Sequence, residues 1–373
     1  MIKEYIYKIN NFIAVLLMYA GLKIPKQTYS YKIARFILHK IMGKGRLFHV
    51  MLDVAERSDK RCKDYHPKRG NSTPSLSDLM KMFSQMRGRI LRLDLMGGEP
   101  LLRDDIYEII KAAKKVGRIR HVTMFTHGSL IDEKAALRLK EMGLNAVYVS
   151  FYSVDPSMQN GISSVSGTFA GKTKAIKELV RIGIPTYTFT ILNKNNASDV
   201  DNINKYVRDL GARPVFFNQI PMDESALSNQ LSSKEVYEVK TLLNRISSQH
   251  MVRVYDMFEF LGRSCFGGYF MLSVKVDGTV TCCPFILDIV LGNAFEKDIF
   301  KIFETRFTVP EFRAIYQSPA ECIACTFEQC CQGGCKAGNK TVLSSYHKKS
   351  FYCLGPWQNI ENNKKADCIP YWF

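Results

Sequence analysis

Several features are missing from this sequence of 373 residues, and their absence narrows its class. There is no internal repeat and no low-complexity segment, so repeat architectures and compositionally biased tails are excluded. No apolar stretch is long enough to cross a bilayer, which takes about 20 residues. The net charge is +17, but no basic run with interleaved aromatic residues stands out. We therefore expect a solvated basic surface and no nucleic-acid partner, although an acidic peptide or an anionic cofactor could use this charge.

Residues 1–46 form a basic extension that we expect to be helical. Its apolar stretch, 12–22, follows Lys3 and Lys8 and could pass for a signal peptide. The cysteines described below indicate a reducing compartment. We therefore interpret the stretch as a buried or interfacial helix of a cytoplasmic protein.

From about residue 48, apolar runs of strand length alternate with helical segments, whose apolar residues recur three or four apart. The predicted strands are 47–54, 90–96, 119–125, 146–150, 186–192 and 214–219, and the predicted helices are 104–116, 133–142, 171–182, 197–210 and 233–248. Gly143, Gly183 and Gly211 follow three helices, where a left-handed cap is favoured. Six β/α units predict a parallel sheet, in either an open barrel or a doubly wound arrangement. The length suggests two or three domains, and we place a boundary near residue 255.

The chain has eleven cysteines, and in a large chain clustered cysteines favour metal over disulfides. Ten lie beyond the boundary, and seven of these have a spacing that suits metal centres: Cys265, Cys283, Cys322, Cys325, Cys331, Cys335 and Cys353. The two-residue gap after Cys322 lets two thiolates point at one metal centre, and Gly333 and Gly334 let the backbone wrap around a bulky cluster. Thiolates suit iron–sulfur clusters, and zinc ribbons use similar pairs, so zinc is the alternative.

A glycine-rich element, Gly97, Gly98, Glu99 and Pro100, directly follows the second predicted strand. Glycines at such a place let the backbone approach a ligand, and Glu99 could pair with an ammonium group. Taken alone, the element could equally be a tight turn with a solvated glutamate.

The cysteine order Cys-x12-Gly-x4-Cys, Cys-x2-Cys-x5-Cys-x3-Cys and a final Cys resembles the SPASM domain. That domain follows the barrel of many radical S-adenosylmethionine (SAM) enzymes that modify peptides. The resemblance implies an α/β protein with a partial (β/α)6 TIM-like barrel, residues 47–255, followed by a SPASM domain, residues 256–373.

The resemblance also implies two auxiliary [4Fe-4S] clusters. One would be ligated by Cys322, Cys325, Cys331 and Cys353, and three irons of the other by Cys265, Cys283 and Cys335. Met271 stands where some relatives supply an eighth cysteine, so the fourth ligand of the second cluster is left open. Cys282 and Cys330 each precede an expected ligand, and we expect them simply to pack nearby.

In the family, the Gly-Gly-Glu-Pro element binds the amino group of SAM. The residues that the resemblance assigns to the cofactor are Gly97, Gly98, Glu99, Pro100, Thr126 and Ser150. Two positions depart from the pattern. His127 stands where relatives have asparagine, and we expect it to be a polar loop residue. Ser163 stands where relatives have arginine, so we expect SAM, if it binds, to bind weakly.

The largest departure concerns the catalytic cluster. In relatives the first strand leads into Cys-x3-Cys-x2-Cys, whose thiolates bind three irons of the cluster while the fourth iron binds SAM. Here Ser58, Cys62 and Tyr65 occupy these positions, so only one thiolate remains. Asp64 and His66 could bind a single ion, but they do not restore three soft ligands on one face. Without this cluster there is no electron path to cleave the SAM sulfonium.

We therefore expect a degenerate radical-SAM-like protein that helps an active radical SAM partner enzyme to recognise or modify a precursor peptide or protein. Pro284 follows Cys283 where sulfatase-maturing relatives carry a catalytic aspartate, which argues against that activity. One alternative is an active enzyme with unusual cluster ligands, acting on a peptide by hydrogen-atom abstraction. Another, suggested only by charge, is a nucleic-acid-binding iron–sulfur protein.

Overall fold

A computed structural model of the chain describes residues 47–56, 73–163, 168–220, 224–250, 267–325, 328 and 332–353. The expected N-terminal helix, the positions 58, 62 and 65, the boundary near 255, and the cysteines Cys265, Cys330 and Cys331 lie outside these residues. No helix in the described part is long and apolar enough to cross a membrane.

The described strands form a single sheet of nine, in the order β6-β5-β4-β3-β2-β1-β7-β8-β9. They are β1 (His49–Ala55), β2 (Arg92–Gly97), β3 (His121–Thr126), β4 (Ala146–Ser150), β5 (Thr186–Leu192), β6 (Arg213–Asn218), β7 (Met271–Val274), β8 (Thr279–Cys283) and β9 (Ile286–Asn293).

Helices separate the parallel strands and continue beyond them. They are α1 (Leu76–Met86), α2 (Ile106–Lys115), α3 (Glu133–Glu141), α4 (Pro156–Ser163), α5 (Thr168–Ile182), α6 (Val200–Asp209), α7 (Glu224–Ser228), α8 (Ser233–His250), α9 (Ile299–Thr305), α10 (Pro310–Ile315) and α11 (Lys336–Leu343). The predicted left-handed caps are confirmed, because φ is +88° at Gly143 and +82° at both Gly183 and Gly211.

The strand order decides between the two arrangements that the sequence left open. Strands β1 to β6 are parallel, and each pairs with the next in the chain. Within the six β/α units, a doubly wound sheet would place some strands on the other side of β1, whereas β2 to β6 all lie on one side of it in chain order. The partial (β/α)6 barrel is therefore confirmed.

The strands of the cysteine-rich segment extend this same sheet. β7 pairs with β1 in parallel, with His49 opposite Met271 and Leu52 opposite Val274. β8 and β9 then add antiparallel strands. β1 thus lies between β2 and β7, and the segment that follows the barrel is hydrogen-bonded to the first strand of the barrel.

The two faces of the sheet bury different residues. Apolar residues such as Val50, Leu52 and Leu93 are completely buried in the main core with the helices. The opposite face carries aromatic rings on β3 to β6, because strand residues alternate between faces. Phe125 stacks on Tyr148 with ring centroids 4.6 Å apart, and the other rings are those of Tyr187, Phe189 and Phe217.

A buried charge cluster lies on the same face of the sheet as these aromatic rings. Asp94, 1% exposed, has one carboxylate oxygen 2.7 Å from Arg92 Nε and the other 2.7 Å from His49 Nε2, and Thr123 donates to it as well. Burial by itself would raise the pKa of Asp94, but Arg92 and His49 hold it far below its ordinary value. Burial lowers the pKa of His49. Asp94 is therefore charged and neutralised mainly by Arg92.

We expect Asp94→Ala to lower the free energy of unfolding by about 3–5 kcal/mol, because it leaves Arg92 buried without its carboxylate. The difference in unfolding free energy between wild type and variant should become smaller below about pH 4. There the unfolded wild-type chain takes up a proton at residue 94, whereas folded Asp94 does not. Thermal unfolding followed by circular dichroism at several pH values measures both effects.

Asp105→Ala is the matched control. Asp105 also pairs with an arginine, Arg103, at 2.8 Å, but its side chain is 36% exposed. We expect this change to cost at most about 1 kcal/mol. Equal losses in the two variants would contradict the role given to burial.

Candidate functional site

The glycine-rich element after β2 lies directly against the end of β1. Gly97 has φ +109°, and a Cβ added to it would be 2.2 Å from the carbonyl oxygen of Ala55. The amide of Gly98 donates to the same oxygen at 2.6 Å. The first glycine is thus needed because the two strands approach each other closely just before residues 57–72.

Glu99 is completely buried, and its carboxylate is surrounded by donors from the ends of β2 and β3. It accepts from the amide of Leu101 at 3.0 Å, from the hydroxyl of Thr126 at 2.8 Å, and from the amide of His127 at 2.9 Å. Because a buried charge needs such partners, the solvated-turn interpretation of this element does not hold. Pro100 begins the short 3-10 helix Pro100–Leu102, with Glu99 as its N-cap.

Arg103 binds the chain on both sides of the segment 57–72. Its guanidinium donates to the carbonyl oxygen of Val54 at 2.7 Å and to that of Pro74 at 3.0 Å. Asp105 holds the same guanidinium at 2.8 Å. The chain before and after this segment is therefore fixed to the loop that carries Glu99.

Ser150, at the end of β4, is held by a lysine that the sequence analysis missed. Lys172 is only 1% exposed, and its Nζ lies 2.7 Å from the carbonyl oxygen of Ser150 and 3.0 Å from its hydroxyl. The signal was present in the sequence, since Lys172 lies four residues before Ile176 on the buried stripe of α5. A lysine in such a stripe indicates an ammonium group with a polar partner inside.

Aromatic rings cluster at the start of α5, a few residues after Ser163. Phe169 packs with Phe151 and Tyr206, with ring centroids 6.0 and 5.7 Å away. Ser163 ends α4, and Gly167 lies outside the described residues. The ring cluster fixes the start of α5, and with it the position of Lys172.

Two of the expected cluster cysteines lie close enough to a third, Cys322, to influence its pKa. Burial raises the pKa of Cys322 to about 11, and the neighbouring thiols of Cys353 and Cys325 contribute to the rise. The amide of Cys325 donates to the carbonyl oxygen of Cys322 at 3.0 Å, so the two belong to one turn. In the described part of the chain, no three His, Cys, Asp or Glu side chains form a group that could hold a metal ion.

A second group of expected ligands is divided between two elements. Cys283 ends β8, and Cys335 is the N-cap of α11, where its sulfur accepts from the amide of Gly338 at 3.5 Å. The predicted wrapping of the backbone is visible just before Cys335, because Gly333 and Gly334 have φ values of +82° and +77°.

The two adjacent cysteines of β8 have different surroundings. Cys282 is 0% exposed and belongs to the main core, as expected for a packing residue, whereas Cys283 is half-buried. Beside Cys283, the carbonyl oxygen of Pro284 accepts from Lys275 Nζ at 3.2 Å. The same ammonium group lies 2.9 Å from Asp53 of β1, so a cation links the first strand to the residue after Cys283.

Comparison with protein families gives two matches. Residues 57–207 match the radical SAM superfamily, and residues 265–330 match the iron–sulfur cluster-binding SPASM domain. The chain belongs to the radical SAM superfamily. Iron–sulfur clusters and SAM binding are the chemistry that this membership implies.

Curated radical SAM relatives match most of the chain at low identity. The AdoMet-dependent heme synthase of Methanosarcina barkeri is 23% identical over 290 residues, which cover 70% of this chain and 82% of that protein. The PqqA peptide cyclase of Granulibacter bethesdensis is 22% identical over 262 residues, which cover 66% and 70% of the two chains. The names of these relatives point to different substrates.

Solved radical SAM structures share the fold. SuiB of Streptococcus suis bound to S-adenosylmethionine superposes with a TM-score of 0.69 and 16% identity, covering 92% of this chain and 87% of that one. The anSMEcpe structure with AdoMet and the Cp18Cys peptide gives 0.68 and 20% identity, covering 82% and 93%. SuiB has also been solved with its precursor peptide, SuiA.

The glycine of the SPASM pattern lies in the tight turn between β7 and β8. Gly278 has φ +83°, and a Cβ added to it would be 2.3 Å from Asn293 Oδ1 and 2.5 Å from the ring of Phe295. We expect Gly278→Ala to combine a left-handed penalty of about 1–2 kcal/mol with an overpacking penalty of about 1–3 kcal/mol.

Gly88→Ala separates the two penalties. Gly88 has φ +68°, but a Cβ added there would have nothing within 4 Å. Thermal unfolding of both variants under anaerobic conditions should show the larger fall in melting temperature for Gly278→Ala. Equal falls would mean that the contacts with Asn293 and Phe295 relax without cost.

Proposed function

We propose that this radical SAM/SPASM protein carries two auxiliary [4Fe-4S] clusters and acts as a degenerate partner of an active radical SAM enzyme. Together they would modify a precursor peptide or protein. The observation that carries the proposal is the contrast in donor chemistry. Thiols are grouped in the SPASM segment, whereas Ser58, Cys62 and Tyr65 leave one thiol where the catalytic cluster belongs.

The grouping of Cys322, Cys325 and Cys353 fits a cluster. Burial and the neighbouring thiols raise the pKa of Cys322, so this half-buried thiol is a poor thiolate in the protein alone. A bound cationic iron core reverses this effect, because coordination favours the deprotonated form. Cys331 would complete this set, and Cys265, Cys283 and Cys335 would hold the second cluster. A cluster at each site would supply electron transfer or structural support.

A peptide or protein substrate is supported by similarity and by charge. The name of PqqA peptide cyclase refers to a peptide. SuiB has been solved with a bound precursor peptide. The chain also has 52 lysines and arginines against 35 acidic residues, which suits an acidic peptide.

The second candidate is an active enzyme with unusual ligands at the first cluster. The presence of Gly97, Gly98 and Thr126 supports it, because the resemblance assigns these residues to the cofactor. In this candidate the chain itself would abstract a hydrogen atom from a peptide.

Anaerobic reconstitution followed by iron and sulfide analysis separates the candidates. Two clusters give about eight irons per chain, and three give about twelve. We expect about eight, and no 5′-deoxyadenosine after incubation with SAM and a reductant. Twelve irons together with 5′-deoxyadenosine would establish the active enzyme, and zinc without iron would exclude both candidates.

The adjacent cysteines of β8 allow a matched test of the cluster ligands. We expect Cys283→Ala to lower the iron content from about eight to about four, because one cluster loses a ligand. Cys282→Ala should leave iron unchanged, since Cys282 is a core residue. Iron analysis and the visible absorption of both variants measure this, and equal iron in the two would contradict the assignment of Cys283.

A further inference from the structure

We propose that the ring of His127 takes the place in front of Glu99 that an α-ammonium group would occupy, so that the barrel disfavours ligands with an amino-acid end. This inference deepens the proposed function and rests on it, because a barrel that does not activate SAM has no need to bind its methionine end tightly.

The carboxylate of Glu99 can accept only a limited number of hydrogen bonds. A carboxylate offers about four lone-pair sites. The amides of Leu101 and His127 and the hydroxyl of Thr126 supply three hydrogens at 2.8 to 3.0 Å. One site is left on a carboxylate that is completely buried.

The ring of His127 lies next to the carboxylate of Glu99. His127 Nε2 lies 3.2 Å from Glu99 Oε2, and the side chain of His127 is only 13% exposed. The ring therefore stands beside the carboxylate where the family pattern has an asparagine, and it is enclosed with Glu99.

The partners of Nδ1 determine which nitrogen of the His127 ring carries the proton. The backbone amide of Ser129 donates to His127 Nδ1 at 3.2 Å, and the Ser129 hydroxyl lies 2.8 Å from the same atom. A backbone amide can only donate, so Nδ1 carries a lone pair and the neutral ring has its hydrogen on Nε2. The hydrogen is thus on the atom 3.2 Å from Glu99, and the ring occupies space beside the carboxylate that an ammonium group would need.

The surroundings of Ser150, which the resemblance assigns to the cofactor, differ from those of Glu99. The Ser150 hydroxyl accepts from Lys172 Nζ at 3.0 Å. A serine that accepts from an ammonium group can still donate its own hydrogen, for example to a ribose oxygen. The pocket is therefore expected to keep its recognition of a nucleoside while it loses recognition of the amino group.

Two ligands test this selectivity directly. S-adenosylhomocysteine carries the amino-acid end, and methylthioadenosine is a similar thioether nucleoside without it. Binding of each to the anaerobically reconstituted full chain is measured by calorimetry, for the wild type and for His127→Asn. We expect wild type to bind methylthioadenosine at least as tightly as S-adenosylhomocysteine. His127→Asn should shift the ratio of the two affinities towards S-adenosylhomocysteine by about tenfold, the effect of one hydrogen bond to a charged group.

His121→Asn is the matched control, because it changes a histidine at the start of the same strand, β3, and should leave the ratio unchanged. Circular dichroism and iron content must agree among the three proteins. A wild type that prefers S-adenosylhomocysteine tenfold or more would overturn the inference, as would an unchanged ratio in His127→Asn or no binding of either ligand. An iron count of twelve with 5′-deoxyadenosine would overturn the proposed function instead, and it is measured separately.

Discussion

The parallel hydrogen bonding between β1 and β7 is the interaction on which the rest of the structure depends. It makes β1 an interior strand, with the glycine-rich loop of β2 on one side and the SPASM segment on the other. The pairing also brings Lys275 to Asp53 and to the carbonyl oxygen of Pro284, next to Cys283. The barrel and part of the cysteine-rich segment are thus one continuous sheet, so a cluster held by Cys283 would be mechanically tied to the first strand.

Three buried charges of the barrel segment each have a specific partner. Asp94 is matched by Arg92, Glu99 by amides and a hydroxyl, and Lys172 by Ser150. Such matching is what the desolvation of ions requires. The thiol of Cys322 is different, because burial and its neighbours Cys353 and Cys325 raise its pKa. A bound cation would favour its deprotonated form.

Local patterns predicted the elements well wherever one face of a strand or helix meets a core. Strands 146–150 and 186–192 have the predicted bounds, and the other four are shifted by one or two residues. The shifts fall at strand ends, where hydrogen bonding rather than apolar character decides the boundary. The β/α alternation could not decide between a barrel and a doubly wound sheet, because the two differ only in the order of the strands, and it was the family resemblance that predicted the barrel.

The sequence by itself determined the alternation of strands and helices, the family resemblance and the uneven distribution of cysteines, because these depend on residue type and spacing along the chain. Only the tertiary structure decided that β7 lies beside β1, that Lys172 reaches Ser150, and that the ring of His127 faces Glu99. These contacts join residues far apart in the sequence, and the physical reason is burial. A polar group removed from water takes whichever partner the packing of the sheet brings within hydrogen-bonding distance.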